Sequence, residues 1–386
     1  MKSNWKTVKL QELGRVVGGA TPSTKNEAFY GGSIPWLTPK DLADYSERYI
    51  SRGERSITEE GLNSCSTELL PAGTVLFSSR APIGYVAIAS NSICTNQGFK
   101  SVVPDTSVVD PLFLYYLLVF NKEKIKSAGS GTTFKEVSGN VMKNIEVEIP
   151  TSVDYQRKIA RVLSSIDDQI EGNARINKNL LEQAISIFNW FYDSSTHQQP
   201  FSSVINVFGG GTPKTSDPNF WNGDIPFFTP KDVGNPYTFK TEKYITDDGL
   251  AKCNSRLYPT NTTFVTARGT VGKVSLAGVP MAMNQSCYAL VSDTLDPILV
   301  YFYTLKVVSS LKHKASGAVF DAIVTRDFDN EMINILSDTD AQQLLEVVTP
   351  MFAAIHNNDA ECLRLSALRD AILPKLLSGE LAFEAN

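Results

Sequence analysis

The sequence predicts a mixed α/β (α+β) two-domain protein, in which two duplicated domains are separated by a pair of long antiparallel coiled-coil helices with a pseudo-two-fold arrangement. Three observations indicate this fold class: a long internal repeat, short β-rich runs within each copy, and a helical heptad pattern after each copy. We place the domains at 1–150 and 197–336 and the helical segments at 151–196 and 337–386. A chain of 386 residues suits two such domains rather than one core.

The repeat has a period of about 190 residues, far longer than the unit of a solenoid. Residues 29–41 (FYGGSIPWLTPKD) return as 220–232 (FWNGDIPFFTPKD). Further matches follow in the same order, among them Arg80 with Arg268 and the Asn-Gln pair at 96–97 with that at 284–285. Ordered matches of this number indicate duplication of a whole domain. One polypeptide can thereby imitate a symmetric dimer while its halves diverge.

Each copy combines strand and helix signals. Short runs bounded by Gly, Pro or Asn, such as 74–77 and 85–89, predict strands. The Asp-Pro pairs at 110–111 and 296–297 predict an N-cap and the first position of a helix.

The segment after each copy has apolar residues at alternating spacings of four and three, which predicts two helices lying along each other. Thr151 with Asp154 and Ser337 with Asp340 are expected to cap their starts, and Pro374 to end or kink the second helix. Asn173 and Asn358 occupy the same position of the heptad pattern in the two helices. The alternative is that each helix belongs only to the core of its own domain. The predicted seam consists of Ile159, Leu163, Ile166, Ile170, Asn173, Leu180, Leu344, Val348, Met351, Ile355, Asn358 and Leu365.

Composition limits the classes of function. The net charge is −5, but residues 1–150 carry 16 Lys/Arg against 15 Asp/Glu, so a basic face is compatible with the repeat. Five single cysteines and three scattered histidines predict free thiols and no metal site. The sequence has no signal peptide and no apolar run of bilayer length, and we expect a cytoplasmic protein without membrane contact.

Enzyme motifs are incomplete in both copies. The nearest match to an adenine-methylase loop, Asn235-Pro236-Tyr237, lacks a second proline, and residues 267–274 lack two positions of a phosphate loop. The acid at Glu123 is followed by Lys124-Ile125, which breaks the nuclease pattern, and no histidine has a counterpart in the other copy. We therefore expect no catalytic residues and no cofactor in this chain.

The order of parts and the local motifs resemble the specificity subunits of type I restriction–modification systems. The motifs include residues 34–41 (IPWLTPKD), 79–84 (SRAPIG), 96–99 (NQGF), 129–134 (GSGTTF), 156–160 (QRKIA) and 373–381 (LPKLLSGEL), and the resemblance covers essentially the whole chain. The second copy departs from it at Ser286-Cys287 and Ala318-Val319.

This resemblance implies two target-recognition domains, each reading half of a bipartite site in double-stranded DNA. It also implies that the helices fix the spacer between the halves and dock two methylation subunits, to which restriction subunits are added. S-adenosylmethionine, ATP and Mg are then expected in the partner subunits. A straight helix over the 33 residues of each heptad seam would be about 50 Å long at ~1.5 Å per residue, while major-groove surfaces on one face of DNA recur about every 34 Å.

The repeat itself sorts the candidate DNA contacts. If the halves read different sequences, residues shared by both copies hold the fold or contact phosphate, and unlike loop residues read bases. The phosphate-contact candidates are Lys40, Arg80, Lys231 and Arg268. For Asp41 and Asp232, a role as structural caps is equally compatible with the sequence. For Arg80 and Arg268, a buried ion pair is as compatible with the sequence as a phosphate contact. The base-reading candidates are Thr132, Thr133, Lys135, Asp321, Arg48, Arg52, Lys240 and Lys243.

Two other classes of function stay open at this point. One is a scaffold without DNA that holds two protein partners, and the other is a self-sufficient DNA methylase or nuclease.

Overall fold

The protein is described by a computed structural model that covers residues 4–43, 45–130, 135–314 and 322–383. It divides into two compact units, Met1–Gly172 with Leu363–Asn386, and Asn173–Cys362. Each unit combines one α/β domain with parts of the two long helices.

The five cysteines are free thiols; burial raises the pKa of the Cys94 thiol to about 11. Within the described residues no helix has the length and apolar character to cross a membrane.

The first α/β domain contains ten strands and four α-helices within its described residues. Its strands are β1 (Trp5–Lys9), β2 (Gly14–Gly18), β3 (Tyr30–Leu37), β4 (Tyr49–Ile50), β5 (Arg55–Ile57), β6 (Val75–Ser79), β7 (Ile83–Ala89), β8 (Cys94–Thr95), β9 (Lys100–Pro104) and β10 (Glu146–Pro150). Its helices are α1 (Glu59–Asn63), α2 (Pro111–Phe120), α3 (Lys122–Ser127) and α4 (Gly139–Asn144), and the long helix α5 (Val153–Ser194) follows.

The second α/β domain repeats this series. Its strands are β11 (Gln198–Pro200), β12 (Asn206–Gly209), β13 (Trp221–Phe228), β14 (Tyr237–Thr238), β15 (Lys243–Ile245), β16 (Thr263–Thr266), β17 (Val274–Ala277), β18 (Ala282–Met283), β19 (Cys287–Val291) and β20 (Met332–Asn334). Its helices are α6 (Phe201–Val204), α7 (Asp247–Ala251), α8 (Pro297–Lys314) and α9 (Thr325–Asp329), and the long helix α10 (Asp338–Leu377) follows.

Sheet topology confirms the duplication, because corresponding strands differ by ten in number. The first domain has sheets in the orders β2-β9-β6-β7-β4, β5-β3-β8 and β1-β10. The second has β12-β19-β16-β17-β14, β15-β13-β18 and β11-β20. Even the irregular register recurs, between Tyr30 and Ile34 in β3 and between Trp221 and Ile225 in β13. The mixed α/β class and its two copies are therefore as predicted.

The predicted local signals mostly agree with the observed elements. The strand runs fall within or beside β6 and β7, and the two Asp-Pro pairs open α2 and α8. The Asp110 carboxylate accepts from the backbone N–H groups of Leu112 and Phe113 at 3.1 and 3.0 Å, as an N-cap does. Trp36 and Phe227 are core residues, 2% and 1% exposed.

Two predictions about the helix ends need correction. The cap of α5 is Ser152, whose hydroxyl accepts from the Tyr155 N–H at 3.3 Å, while the Thr151 hydroxyl instead donates to the Asn4 carbonyl. Of the two outcomes expected at Pro374, an end or a kink, the end is wrong, because helix α10 continues to Leu377. Ser337, by contrast, caps α10 as predicted, because its hydroxyl accepts from the Asp340 N–H at 3.1 Å.

The two long helices run antiparallel where they meet. In the first unit, Ile159 and Leu163 of α5 share a core with Leu373 and Leu376 of α10. In the second unit, Leu181 of α5 shares a core with residues of α10 that include Leu344, Val348 and Ile355. Increasing residue numbers on α5 thus match decreasing numbers on α10, and the alternative of separately packed helices is wrong.

The seam is wider than the heptad pattern predicted. Leu181 and Phe188 of α5 and Phe352 of α10 are buried although none lies in the predicted seam. They pack in the core of the second domain together with residues of α8. Each long helix therefore buries one stripe against its partner helix and a second against an α/β domain, and a strict heptad describes only the first.

The asparagines of the shared heptad position do not meet each other. Asn358 donates to the side-chain oxygen of Asn177 at 2.8 Å, and Asn173 donates to Glu361 at 3.0 Å. Asn177 also donates to Asp359 at 2.7 Å. These hydrogen bonds form a polar layer between the two helices, in which each asparagine of the shared heptad position has a different partner.

Candidate functional site

The Thr-Pro-Lys-Asp sequence after β3 and after β13 forms the same clamp in both domains. In the first, the Asp41 carboxylate accepts from the N–H and hydroxyl of Thr38 at 2.7 and 2.8 Å, and from the N–H of Glu54 at 2.7 Å. A short turn of this kind leaves donors that a carboxylate satisfies. Asp41 is therefore a structural cap that ties the turn to the loop before β5.

The second domain repeats the clamp with matching atoms. Asp232 accepts from the N–H and hydroxyl of Thr229 at 2.8 and 2.5 Å and from the N–H of Glu242 at 2.7 Å. This conserved geometry between the copies assigns both aspartates to the fold.

The clamp presents a lysine to solvent in each domain. The Lys40 and Lys231 side chains are 81% and 80% exposed, and their ammonium groups lie 3.1 Å from Glu54 and 3.6 Å from Glu242. Exposed ion pairs of this kind contribute little to stability, so a stronger anion can displace the glutamate. The position of both lysines suits contact with a phosphate group.

Other shared polar residues also stabilise the fold. The Thr21 hydroxyl donates to Gln97, and the Thr212 hydroxyl donates to Gln285 in the same place of the second domain. Asn96 accepts from the Gly98 N–H at 2.8 Å, and Asn284 accepts from the Ser286 N–H at 3.0 Å. The loop that departs from the family pattern at Ser286 therefore keeps the same turn.

An open cavity of about 760 Å³ lies beside the clamp of the first domain. Its lining brings together two predicted phosphate contacts, Lys40 and Arg80, with one predicted base-reading residue, Lys135. Lys126 and Glu136 complete its charged lining, so four basic groups face one acidic group. The cavity is thus basic although the whole chain carries a net charge of −5.

Arg80 is not buried in an ion pair. Its side chain is 37% exposed and its guanidinium lies 3.8 Å from Glu136, which also lies 3.6 Å from the Lys100 ammonium. In the second domain Arg268 is exposed, and its backbone bridges to Ala322. There the Thr270 hydroxyl donates to the Pro230 carbonyl at 3.2 Å. This hydrogen bond connects two loops of the second domain whose counterparts border the cavity in the first domain.

Lys126 is a site residue that the sequence reasoning missed. It lines the basic cavity from α3, and residue 312 of α8, also a lysine, stands 186 positions later. Gly131 and Gly317 have the same separation, so the repeat contained the signal. Lys126 and Lys312 are both exposed.

The base-reading candidates differ in their exposure and contacts. Arg52, Lys135, Lys240 and Lys243 are exposed, and the Lys243 ammonium lies 5.4 Å from the ring centre of Trp221. Thr132, Thr133 and Asp321 lie outside the described residues. In the first domain Arg55 lies 4.3 Å from the ring centre of Tyr30, so both copies have a cation beside an aromatic ring at this place. Because the contact is common to both copies, a role of Lys243 in the fold fits it better than a role in distinguishing bases.

The proposal that Arg48 reads bases is wrong. Its residue is 4% exposed, and its backbone N–H and Nε both donate to Glu171 of α5 at 3.0 Å. The guanidinium also donates to Asp168. Burial by itself lowers the pKa of Arg48, but the hydrogen bond with Glu171 leads the interactions that raise it overall, so the group stays charged and engaged inside the protein.

The described residues contain no cluster of three or more His, Cys, Asp or Glu side chains able to hold a metal ion. Taken together, these observations define a class of protein: a duplicated protein whose two α/β domains each present an exposed lysine on a hydrogen-bonded turn and each pack against the long helices.

Comparison with known proteins gives the family. The model of the type I restriction modification DNA specificity domain matches residues 2–182 and again residues 200–361. The MjaIX specificity subunit of a type I restriction enzyme from Methanocaldococcus jannaschii is 34% identical, over 99% of this chain and 94% of that protein. The HindI specificity subunit from Haemophilus influenzae is 23% identical, over 73% of this chain and 80% of that protein.

A solved structure supports the same fold. The crystal structure of the type I restriction–modification S subunit from M. genitalium matches with a TM-score of 0.62 and 14% identity, over 97% of this chain and 96% of that one. The chain belongs to the family of type I restriction–modification specificity subunits.

Proposed function

We propose that each α/β domain reads one half of a bipartite site in double-stranded DNA, and that the helix pair sets the gap between the halves. The repeated clamp carries this proposal. Both domains present an exposed lysine on a turn held by the same three hydrogen bonds, while the loops around it differ in sequence. Shared cations suit phosphate, which is the same everywhere on DNA, and differing loops suit bases.

The proposal includes the partners of the complex. The helices dock two methylation subunits, which bring S-adenosylmethionine, and restriction subunits that use ATP and Mg join them in the cytoplasm. This chain supplies recognition and no catalytic group. Incomplete methylase and nuclease motifs in the sequence, and the clamp aspartates being occupied as caps, support this division of roles.

The first residues to test are the clamp lysines. Each phosphate contact releases counterions, so the logarithm of the binding constant falls with the logarithm of salt concentration by about 0.9 per contact. In the complex with methylation subunits, K40A and K231A should each weaken binding to every DNA sequence. Each should also make the salt slope shallower by about 1. Fluorescence anisotropy with labelled duplexes at several salt concentrations measures both effects.

Lys6→Ala is the matched control, because Lys6 is an exposed lysine of β1 outside the lining of the basic cavity. A salt slope in K40A and K231A equal to that of K6A would remove both lysines as phosphate ligands. If the complex showed no DNA binding at all, the protein scaffold would become the better description. Methyl transfer by the pure chain, without partners, would instead favour the self-sufficient enzyme.

A further inference from the structure

The contact between the first α/β domain and α5 is a buried ionic connection. Arg48, just before β4, donates to Glu171 through its backbone N–H and its Nε, both at 3.0 Å. Its Nη2 donates to Asp168 one helical turn earlier. The side chain of Arg48 is 5% exposed and that of Glu171 15%. A planar guanidinium with several fixed donors restricts both position and rotation of the groups that it joins.

The connection extends to the second long helix. Nη1 of Arg48 lies 3.5 Å from the Tyr116 hydroxyl of α2, which donates to Asp167 of α5 at 2.6 Å. Asp167 also accepts from Arg369 of α10 at 2.9 Å. A continuous polar path thus joins the domain, α5 and α10 within the first unit.

The second domain uses the same helix position with different chemistry. Glu171 and His356 are 185 residues apart, the separation that also relates Asn173 to Asn358. His356 of α10 lies 2.8 Å, through Nε2, from the Gly278 carbonyl just after β17. Its ring lies 5.0 Å from that of Tyr237 and 4.8 Å from that of Phe239, beside β14.

The residues at the matching positions of the polar path are apolar in the second unit. Tyr116, Asp167 and Arg369 correspond by the repeat to Phe302, Phe352 and Ala184. The rings of Phe302 and Phe352 are 5.5 Å apart, and Ala184 is fully buried. One helix position therefore anchors a domain in both copies, through charges in the first and through a histidine among aromatic rings in the second.

We propose that Arg48–Glu171 and His356 are positioning residues that fix the orientation of each domain on its helix, and that these anchors decide how strictly the complex discriminates gap length in DNA. The proposal rests on the proposed bipartite recognition. A helical turn of about 34 Å spans about 10 base pairs, so one extra base pair moves a half-site by about 3.4 Å and turns it by about 36°. A domain held by an anchored guanidinium does not follow that rotation, whereas a released domain does.

The test measures methylation by the complete complex of this chain with its methylation subunits. Duplexes carry the recognised site, found from methylated adenines of the host genome, with the natural gap or a gap one base pair longer or shorter. The readout is the ratio of methylation rates on natural and altered gaps. R48M/E171Q, which removes both charges of the pair, and H356L should each lower this ratio by about tenfold, the scale of one mismatched base pair.

Base preference within each half-site should stay unchanged in these variants, because each anchor joins a domain to a helix through contacts within the protein. The control is Lys178→Met on α5, which removes the exposed ion pair with Glu182, at 4.0 Å, and should leave the ratio unchanged. R48M alone removes the guanidinium from both Glu171 and Asp168 and provides a second variant.

A general loss of stability would slow methylation on all gaps equally and leave the ratio at its wild-type value. That result in both R48M/E171Q and H356L would overturn the anchor proposal while leaving bipartite recognition intact. If instead the wild-type complex methylated all gaps equally, bipartite recognition with a fixed gap would itself be wrong.

Discussion

Asp41 and Asp232 show how one residue type can hold two equivalent turns. Each carboxylate accepts three hydrogen bonds, two from the threonine that precedes it by three residues and one from a distant loop. Hydrogen bonds to a charged acceptor are among the stronger ones in proteins. The aspartates therefore fix the turn, and this also fixes the backbone position of the adjacent lysines.

Asp41→Ala should lower the free energy of unfolding by about 1–3 kcal/mol, since it leaves the backbone donors of Thr38 and Glu54 without an acceptor. Urea unfolding followed by circular dichroism measures the change. Glu54→Ala is the control, because it removes only the exposed partner of Lys40 and should change stability by less than about 0.5 kcal/mol. Equal losses in the two variants would contradict the role of Asp41 as a clamp.

At the scale of elements, the long helices were the most predictable part of the chain. Their heptad spacing depends mainly on apolar residues, and it correctly indicated α5 and α10 and their contact. Leu181, Phe188 and Phe352 were missed because they pack against a domain, and no local pattern reports which domain surface a helix meets. The same limit explains Arg48, whose acidic partners lie more than 100 residues away in the sequence.

The shorter elements were predictable where a local rule applies. The Asp-Pro pairs located the starts of α2 and α8, because a capping carboxylate and a proline act within three residues. The basic cavity was only half predictable. The repeat pointed to Lys40 and Arg80, but their proximity to Lys126 and Lys135 depends on how separate loops fold together.

The polar layer between the long helices predicts a pH dependence. Burial raises the pKa of Asp359 to about 6, although the hydrogen bond from Asn177 and the charge of His356 act in the opposite direction. The folded state therefore binds this proton more tightly than the unfolded chain, whose aspartate pKa is about 3.9. The stabilising contribution of protonated Asp359 is complete below about pH 4 and is lost as the pH rises through about 6.

Asp359→Asn should remove this dependence, because the amide stays neutral and its oxygen still accepts from Asn177. The variant should exceed the wild type in stability by about 1 kcal/mol at pH 7.5, after allowance for solvent screening, and the difference should vanish near pH 4. Urea unfolding at both pH values measures it. Asp329→Asn, at an exposed position, is the control. A constant difference across the pH range would contradict the assignment to Asp359.

At the scale of the whole molecule, duplication separates what the two domains share from what they do not. Fold, clamp and exposed lysine are common to both, while the anchors and the loops beside the clamp differ. The divergence of the loops suits a protein whose halves read different base sequences, and the difference between anchors keeps the two halves chemically distinct. Recognition of DNA by this subunit is thus proposed to be modular.

Mapping adenine methylation in a host genome tests this modular recognition most directly. The host should express this chain with the proposed methylation and restriction subunits, and a second strain should carry the chain with residues 1–150 replaced by the matching domain of another specificity subunit. We expect two short, unlike motifs at a fixed gap, and a change in only one of them after the replacement. A single continuous motif, or a change in both halves, would contradict the account.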